Sequence, residues 1–264
     1  MNRTLLTDSH MHTINSPDGR NTPKEMVQRA RILGLKHITI TDHCEVDQYF
    51  THGYVRSVPK AYADADRLRR TVADPEVLVG IEIGQATTSF ALCDGLLAKN
   101  NYDFVLASVH HLPNTIDFYK LAADYHGAVF LLKRYYAELL RVVEWGNFDV
   151  LAHVTYPMRA IEKGRHFTIP RTLYQQELDR VLRAAIAAGK GIEVNTQGGY
   201  LMPDVGTLIR FRELGGQYVT IGSDAHSADA LGVGLQEGLQ RIKDAGFDKI
   251  TYYRRRKPIQ LPLE

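Results

Sequence analysis

The amino-acid sequence predicts an α/β fold in the form of one closed or nearly closed barrel. Short apolar or β-branched runs alternate with longer segments of helical period, which is the pattern of βα units around a parallel sheet. No linker rich in Pro, Gly or Ser interrupts these units, and 264 residues is close to the length of α/β barrels that fold as one domain. We therefore expect a single domain over residues 1–264. An open, doubly wound sheet is the alternative, although no G-x-G-x-x-G motif follows a predicted strand to form a dinucleotide site.

The elements follow one another in a regular order along the chain. Strands are predicted near residues 4–12, 36–42, 77–83, 103–110, 148–154, 190–195 and 217–223. The clearest helices between them are predicted over 23–33, 58–71, 128–145, 171–188 and 234–245. The first helix has signals at both ends, because Thr22 and Glu25 form a capping box, Pro23 occupies the first helical position and Gly34 follows the last turn. These signals place residues 18–20 in a loop between the first strand and the first helix.

Composition and charge exclude several classes of protein. The chain is 44% hydrophobic and 23% charged, which is typical of a globular protein rather than a disordered or fibrous one. Its 32 basic and 30 acidic side chains leave a formal charge of +2, so the charge balance favours neither a nucleic-acid polymer nor a membrane surface as a partner. The one basic run, 254–257, is interpreted as a solvated strand end. Two cysteines, no signal-peptide pattern and no apolar run of about 18 residues predict a cytoplasmic protein.

Metal-type side chains recur at the ends of the predicted strands. In chain order these residues are His10, His12, His43, Glu82, His110, His153, Asp224 and His226. The carboxyl ends of barrel strands converge on one rim, where barrel enzymes build their sites, so we expect these side chains to meet there. His10 and His12 are two residues apart on one strand and face the same side.

This grouping predicts a metal site. Burying so many imidazoles and carboxylates without a cation would desolvate polar groups and place like charges together, each at a cost of kilocalories. Imidazole and carboxylate ligands without thiolate suit Zn, Mn or Fe(II), and the number of ligands fits two or three ions better than one. Cys44 would point to the opposite face from His43 and is expected to be a small buried apolar residue.

Several motifs resemble those of a known family, the polymerase and histidinol phosphatase (PHP) superfamily. The motifs are Asp8-Ser9-His10-Met11-His12-Thr13, Ser16-Pro17-Asp18-Gly19, Ile40-Thr41-Asp42-His43, Gly80-Ile81-Glu82, Ala107-Ser108-Val109-His110, Leu151-Ala152-His153 and Gly222-Ser223-Asp224-Ala225-His226. They run in order from residue 7 to about residue 230, and within the superfamily the chain is most similar to the histidinol-phosphate phosphatase group.

The resemblance implies a distorted (β/α)7 TIM-like barrel that holds a trinuclear centre of Mn, Fe or Zn. The ligands it implies are His10, His12, Asp18, His43, Glu82, His110, His153, Asp224 and His226. Asp18 comes from this likeness alone, because it lies in a predicted loop. Glu82 and Asp224 match positions that bridge metals.

The resemblance implies a role for Arg159, and the expected chemistry suggests roles for other residues around the metals. Arg159 matches a position that contacts the substrate phosphate, for which a guanidinium fork is suited. Asp42, Asp8 or His111 are candidates for protonating the leaving alkoxide after attack by a metal-bridging hydroxide, and Asp8 is equally a candidate for orienting His10. For the amine and imidazole of L-histidinol phosphate, Asp117 and Tyr119 are candidate contacts, as are the neighbouring Phe118 and, after the second strand, Asp47 and Tyr49.

The expected activity is phosphomonoester hydrolysis, with L-histidinol phosphate as the leading substrate. Where histidinol phosphatases often have an apolar residue after the Ser-Val-His motif, this chain has His111, which leaves other substrates open. The alternatives are a nucleotide 3′-phosphate, a phosphorylated sugar or a phosphorylated amino acid. A metal-dependent amidohydrolase is disfavoured because no lysine closes any predicted strand. A non-enzymatic metal-stabilised domain is disfavoured because every ligand position is filled by a competent residue.

Overall fold

The computed structural model describes residues 7–118, 120, 125–164 and 168–263, and its centre is a parallel β-barrel. The parallel strands are β1 (Thr7–Asp8), β2 (His37–Ile40), β3 (His43–Glu45), β4 (Glu76–Gly84), β5 (Phe104–Ser108), β6 (Val150–Leu151), β7 (Gly191–Asn195) and β8 (Val219–Gly222). Their order is β1-β2-β4-β5-β6-β7-β8. Strands β2 and β3 pair with successive parts of β4, so together they form one interrupted barrel position.

The segment that follows β1 closes the barrel. Ser9 N donates to Ile221 O at 2.9 Å, and Asp224 N donates to His10 O at 2.8 Å. On the other side, Thr41 N donates to Met11 O at 2.9 Å, which joins the same segment to the chain between β2 and β3. Seven barrel positions therefore surround one interior, and the expected distorted (β/α)7 barrel is confirmed.

Eight helices are described around the barrel. They are α1 (Pro23–Leu33), α2 (Tyr54–Thr71), α3 (Phe90–Leu97), α4 (Tyr125–Trp145), α5 (Tyr156–Gly164), α6 (Gln175–Ala187), α7 (Val205–Glu213) and α8 (Leu235–Asp244). The ends of α1 are as predicted, with the complete Thr22–Glu25 capping box and Gly34 in the left-handed region at φ +73°. The helix expected over 171–188 begins only at Gln175, because residues 171–173 form a 3₁₀ turn. Helices α3, α5 and α7 are additional to the prediction.

The C-terminal residues form an antiparallel hairpin of β9 (Lys249–Arg254) and β10 (Lys257–Pro262). The basic run lies at its turn, as expected of a strand end, but two of its arginines are paired rather than simply solvated. Arg254 lies 2.6 Å from a carboxylate oxygen of Glu76, and Arg256 Nε donates to Asp149 Oδ2 at 2.6 Å. Because Glu76 begins β4 and Asp149 precedes β6, the hairpin turn is attached to the amino ends of the strands, the end opposite to the predicted metal ligands.

Apolar strand residues and the inner faces of the helices form the core. Val79, Ile83, Val105, Leu151 and Ile221 are almost completely buried in the barrel strands. Cys44 is also fully buried, in agreement with its expected apolar role. In the described ranges, no helix has the length and apolarity that crossing a membrane requires.

Candidate metal centre

The carboxyl ends of the barrel strands bring the predicted ligand side chains together. His10 and His12 lie in the closing segment after β1, His43 begins β3, and Glu82 lies near the end of β4. Loops after β5, β6 and β8 carry the other four side chains, which are His110, His153, Asp224 and His226. Parallel strands place their carboxyl ends on one rim, and this is why residues more than 200 positions apart in sequence become neighbours.

The ligand atoms form four overlapping groups, and within each group they lie within 4.8 Å of one another. The groups are His12-His43-His226, His10-His12-Asp224, His43-Glu45-His110 and Glu82-His110-His153. Every group contains at least one imidazole, and two of the groups share His12. Such overlap is what a site for more than one cation requires.

Glu82 occupies the middle of the cluster and is fully buried. Its Oε2 atom lies 2.7 Å from His43 Nδ1, 3.5 Å from His10 Nε2 and 3.7 Å from His12 Nε2. Its Oε1 atom lies 3.3 Å from His110 Nε2 and 3.2 Å from His153 Nε2. One carboxylate therefore faces five imidazoles.

Asp224 is the second shared carboxylate. Its Oδ1 atom lies 3.1 Å from His12 Nε2 and 3.6 Å from both His10 Nε2 and His226 Nδ1. The backbone of Asp224 has φ +50° and that of His153 has φ +29°, conformations that non-glycine residues adopt at a cost. Both strained residues point into the cluster, and strain of this kind concentrates at functional sites.

Asp18 approaches the cluster from the loop before α1. Its Oδ2 atom lies 3.2 Å from His226 Nε2, and its Oδ1 atom lies 3.8 Å from His43 Nε2. The loop is tight at Gly19, where a Cβ atom would lie only 1.9 Å from Thr13 O. The structure therefore brings all nine side chains implied by the resemblance to one rim.

The donor set fits divalent cations. Glu82 Oε2 and His43 Nδ1 are both buried without a hydrogen bond of ordinary geometry, although only 2.7 Å separates them. His10 Nε2 and His12 Nε2 face each other at 3.0 Å, where two lone pairs repel unless a proton or a cation lies between them. Converging imidazoles and carboxylates that lack other partners are the chemistry that Zn, Mn or Fe(II) sites use.

Electrostatics set the protonation states of the cluster. Burial raises the pKa of Glu82, but the neighbouring imidazoles of His43, His10 and His110 outweigh burial and hold this pKa well below its usual range. Burial and the charges of His43 and His226 lower the pKa of His12 well below its usual range, which leaves the imidazole neutral. Burial alone would lower the pKa of His43, but the charge of Glu82 raises it to about 9. A cation binding to His43 must therefore displace a proton.

Two of the predicted catalytic residues support the backbone. Asp42 accepts hydrogen bonds from Thr13 N at 2.6 Å, Thr13 Oγ1 at 2.8 Å and Ser16 Oγ at 2.7 Å, and so holds the turn that follows His12. Asp8 accepts from Ser223 N at 2.9 Å and from His10 N at 3.3 Å, and burial raises its pKa to about 6. Both are buried, and neither belongs to the described lining of the adjacent cavity. These contacts fit support roles for Asp8 and Asp42 better than proton donation.

A cavity of about 920 Å³ opens above the cluster, and it is lined by four of the remaining predicted residues, Arg159, His111, Asp117 and Asp47. Phe118 and Tyr49, which were expected to contact the substrate, are instead buried side chains outside the described lining. Arg159 is buried there and contacts the side chain of Gln197. His111 donates from Nδ1 to Leu112 O at 3.0 Å, and its Nε2 atom lies 3.2 Å from Asp47 Oδ2. Tyr119 lies outside the described residues.

Asp117 also lines this cavity, on the loop after β5. Tyr156 at the start of α5 donates its hydroxyl to the Asp117 carboxylate, at 3.2 Å from Oδ1 and 3.3 Å from Oδ2. The hydrogen bond fixes the carboxylate within the cavity wall. Asp117 and Asp47 are therefore two acidic groups that face the same space as the metal-type cluster.

Two acidic side chains of the site were missed by the sequence analysis. Glu193 Oε1 lies 2.7 Å from His10 Nδ1, and Glu45 Oε1 lies 2.8 Å from His110 Nδ1. A glutamate between Ile192 and Val194 in the buried strand β7 requires a buried partner, which is a signal for Glu193. Glu45 follows His43 by two residues on the same strand face, which is the corresponding signal for Glu45.

Comparisons with known proteins agree with this geometry. A family model described as the PHP domain matches residues 8–197. A "Probable histidinol-phosphatase" of Thermotoga maritima is 27% identical over 251 residues, which cover 93% of this chain and 95% of the relative. A "Histidinol-phosphatase" of Lactococcus lactis subsp. lactis is 27% identical over 93% of both chains.

A solved structure extends the comparison to three dimensions. The crystal structure of histidinol phosphate phosphatase from Lactococcus lactis subsp. lactis, complexed with zinc, L-histidinol and phosphate, superposes with a TM-score of 0.80. The superposition covers 97% of this chain and 99% of the other, at 23% sequence identity. The two chains therefore share one fold over nearly their whole length.

Proposed function

This chain belongs to the PHP domain family, and we propose from this membership that it hydrolyses L-histidinol phosphate to L-histidinol and phosphate in a metal-dependent reaction. The observation that carries the proposal is the position of Glu82, whose carboxylate faces five imidazoles beside a cavity that also contains a buried arginine. Relatives named as histidinol-phosphatases that align over nearly the whole chain support this choice of substrate.

We propose nine metal ligands and two or three divalent ions of Zn, Mn or Fe. The ligands are His10, His12, Asp18, His43, Glu82, His110, His153, Asp224 and His226. Asp224 and His226 lie beyond the part of the chain that matches the family model, because that match ends at residue 197. Because Asp224 contacts His10 and His12 in the closing segment after β1, we propose that the whole chain acts as one catalytic domain.

Divalent cations at these ligands would supply Lewis acidity, which neutralises phosphoryl oxygens and activates water as a nucleophile. The protein itself contributes a buried guanidinium. Arg159 is held beside Gln197 in the cavity wall, and its planar fork matches two oxygens of a phosphate group. We assign to Arg159 the orientation of the phosphoryl group and the stabilisation of charge that develops on its oxygens.

His111 is the predicted proton donor that faces the cavity. Its Nδ1 atom is engaged by Leu112 O, so Nε2, beside Asp47, is the atom available to exchange a proton with a bound ester. We therefore assign proton transfer to the leaving oxygen to His111 rather than to Asp8 or Asp42.

The acidic groups of the cavity match the other end of the proposed substrate. L-Histidinol phosphate carries an ammonium group and an imidazole, and both donate hydrogen bonds to carboxylates. Apart from the proposed ligands and Glu45, the described cavity lining contains two carboxylates, those of Asp117 and Asp47. Tyr156 fixes Asp117, and Asp47 lies beside His111. We propose Asp117 as the ammonium contact.

The experiment that tests this function compares kcat/KM for phosphate release from a panel of phosphomonoesters by the manganese-loaded and zinc-loaded protein. The panel contains L-histidinol phosphate, a nucleotide 3′-phosphate, a sugar phosphate, phosphoserine and a chromogenic ester. We expect L-histidinol phosphate to exceed the other esters by about 100-fold, which corresponds to about 2.7 kcal/mol of differential transition-state binding. Equal, slow rates on all esters would leave a metal-dependent phosphatase but refute the substrate.

A further inference from the structure

Two imidazoles of the cluster are held from behind by carboxylates that the proposed mechanism does not use. His10 Nδ1 lies 2.7 Å from Glu193 Oε1, and His110 Nδ1 lies 2.8 Å from Glu45 Oε1. The opposite nitrogen of each ring faces Glu82, with His10 Nε2 at 3.5 Å and His110 Nε2 at 3.3 Å. Both rings are therefore placed between a rear carboxylate and the central one.

Each rear carboxylate packs against a glycine at the last residue of a strand. At Gly84, which ends β4, a Cβ atom would lie 2.2 Å from Glu45 Oε2 and 2.5 Å from its Cδ. At Gly222, which ends β8, a Cβ atom would lie 2.3 Å from His10 Cβ and 2.6 Å from Glu193 Oε1. Neither glycine has a positive φ, so the requirement at both positions is for space rather than for backbone freedom.

The chemistry of imidazole gives this arrangement a purpose. A neutral imidazole binds a cation through one nitrogen only while the other nitrogen carries the proton. A carboxylate that accepts the hydrogen bond of Nδ1 fixes that tautomer, directs the Nε2 lone pair forward and prevents rotation of the ring. We propose that Glu45 and Glu193 are positioning residues that direct Nε2 of His110 and His10 at the bound cations, and that Gly84 and Gly222 provide the space for them. This inference rests on the metal centre proposed above.

A direct ligand role for Glu45 is the competing interpretation, because its Oε1 atom also lies 3.7 Å from His43 Nδ1. The contacts of the carboxylate favour positioning. Its Oε1 atom is engaged by His110 Nδ1 at 2.8 Å, closer than His43 Nδ1 at 3.7 Å, while its Oε2 atom is buried beside Gly84 without a hydrogen-bond partner among the described residues. Glu193 gives the clearer case, because its Oε2 atom accepts hydrogen bonds from His153 N at 3.0 Å and Asn195 Nδ2 at 3.1 Å, so both of its oxygens are occupied.

The test measures zinc affinity and the histidine tautomer rather than activity. Metal-free protein is titrated with Zn²⁺ against a competing chelator. The charges of Glu45 and Glu82 raise the pKa of His110 well above its usual range against the effect of burial, so long-range ¹H–¹⁵N spectra of histidine are recorded at a pH high enough to make this imidazole neutral, where they report which of its nitrogens carries the proton. The variants are Glu45→Gln, which retains an oxygen acceptor, Glu45→Ala, which removes it, and Gly84→Ala, which displaces the carboxylate from the side of β4. The circular dichroism spectrum of each variant checks that it is folded.

We expect Glu45→Ala to weaken the most affected zinc site by about 10–100-fold, the usual effect of removing such a partner, while Glu45→Gln stays close to the unmodified protein. His110 should change from one Nδ1–H tautomer to a mixture in Glu45→Ala only. Gly84→Ala as a single variant should weaken zinc binding. Combined with Glu45→Ala it should cause no further loss, because the Glu45 carboxylate with which the new Cβ atom would clash is then absent.

Two results would overturn the proposal. Unchanged zinc affinity in folded Glu45→Ala would show that the carboxylate does not direct His110. Loss of a zinc ion from Glu45→Gln to the same extent as from Glu45→Ala would make Glu45 a ligand. Failure of the unmodified protein to bind Zn²⁺ would refute the metal centre itself, and so would be distinguished from both. Glu193→Gln repeats the comparison at His10, with Glu193→Ala as its partner variant.

Discussion

Replacing the central carboxylate, Glu82, should lower the pKa of the neighbouring His43 imidazole. In the metal-free protein the charge of Glu82 raises the pKa of His43 to about 9 from an ordinary value of 6.5, against the opposing effect of burial. A difference of this size corresponds to about 3 kcal/mol. In Glu82→Gln the burial persists but the charge at position 82 is lost, so we expect the pKa of His43 to fall from about 9 towards its ordinary value, with Glu45 as the remaining carboxylate that raises it.

The sign of the stability change follows from the raised pKa. A histidine whose pKa is higher in the folded state stabilises that state fully below about pH 6.5, and this contribution is lost as the pH rises through about 9. Zinc affinity has the opposite trend over the same range, because each bound ion that displaces the His43 proton gains about tenfold in affinity per pH unit. The metal-free protein should therefore become less stable, and the zinc-loaded protein relatively more stable, between these two pH values.

The assay is a pH titration of histidine ¹H–¹⁵N resonances in metal-free protein, with Glu76→Gln as the control. Glu76 lies on the same strand as Glu82 but at its other end, where it faces His37 Nδ1 at 2.9 Å. The control should leave the pKa of His43 unchanged. If His43 still titrates near pH 9 in Glu82→Gln, the electrostatic account of the cluster is wrong.

Three further predictions concern the cavity and the hairpin at the amino ends of the barrel strands. Arg159→Lys should lower kcat/KM for L-histidinol phosphate by about 10–100-fold, because lysine cannot make the paired contact to two phosphoryl oxygens. Steady-state assays of phosphate release measure this change, and an unchanged kcat/KM would contradict the role of Arg159. Asp117→Asn should raise KM for L-histidinol phosphate while leaving hydrolysis of a chromogenic aryl phosphate nearly unchanged, and an equal loss on both esters would remove Asp117 as the ammonium contact. Arg256→Ala should reduce the free energy of unfolding, measured in urea, by about 1–3 kcal/mol, because the buried Asp149 loses a hydrogen-bond partner at 2.6 Å. An unchanged urea midpoint would show that this contact of the hairpin turn does not stabilise the protein.

Periodicity and local signals predicted the first helix and the positions of the seven barrel strands, but not the strand lengths. The strands expected near 4–12 and 148–154 contain only the two-residue strands β1 and β6 among the described residues, and β3 was not predicted. The capping box at Thr22 and the glycine at position 34 determine both ends of α1, because these signals act within a few residues. Helices α3 and α7 are short, with eight and nine residues, and their apolar pattern spans too few turns to stand out. Ion pairs with Glu76 and Asp149 attach the C-terminal hairpin to the barrel, and because these residues are far away in sequence, local patterns contain little information about where the hairpin lies.

The residues of the site also differ in how far the sequence alone predicts them. Side chains such as His10, His43 and Glu82 could be grouped from sequence because a parallel barrel brings strand ends to one rim. Asp18 lies in a loop and needed the likeness to a family, since no periodicity fixes where a loop side chain points. Glu45 and Glu193 were missed because their function depends on which imidazole nitrogen they face, and this is determined only by three-dimensional packing.

The most direct test of the account measures metal content and phosphate release on the same protein samples. The unmodified chain and the double variant His12→Ala/Glu82→Ala are loaded with zinc or manganese, desalted, analysed for metal per chain and assayed with L-histidinol phosphate. We predict two or three ions per chain and phosphate release for the unmodified protein, and loss of both in the double variant while its circular dichroism spectrum stays folded. Retained phosphate release by a metal-depleted double variant would contradict the claim that this cluster is the catalytic metal centre.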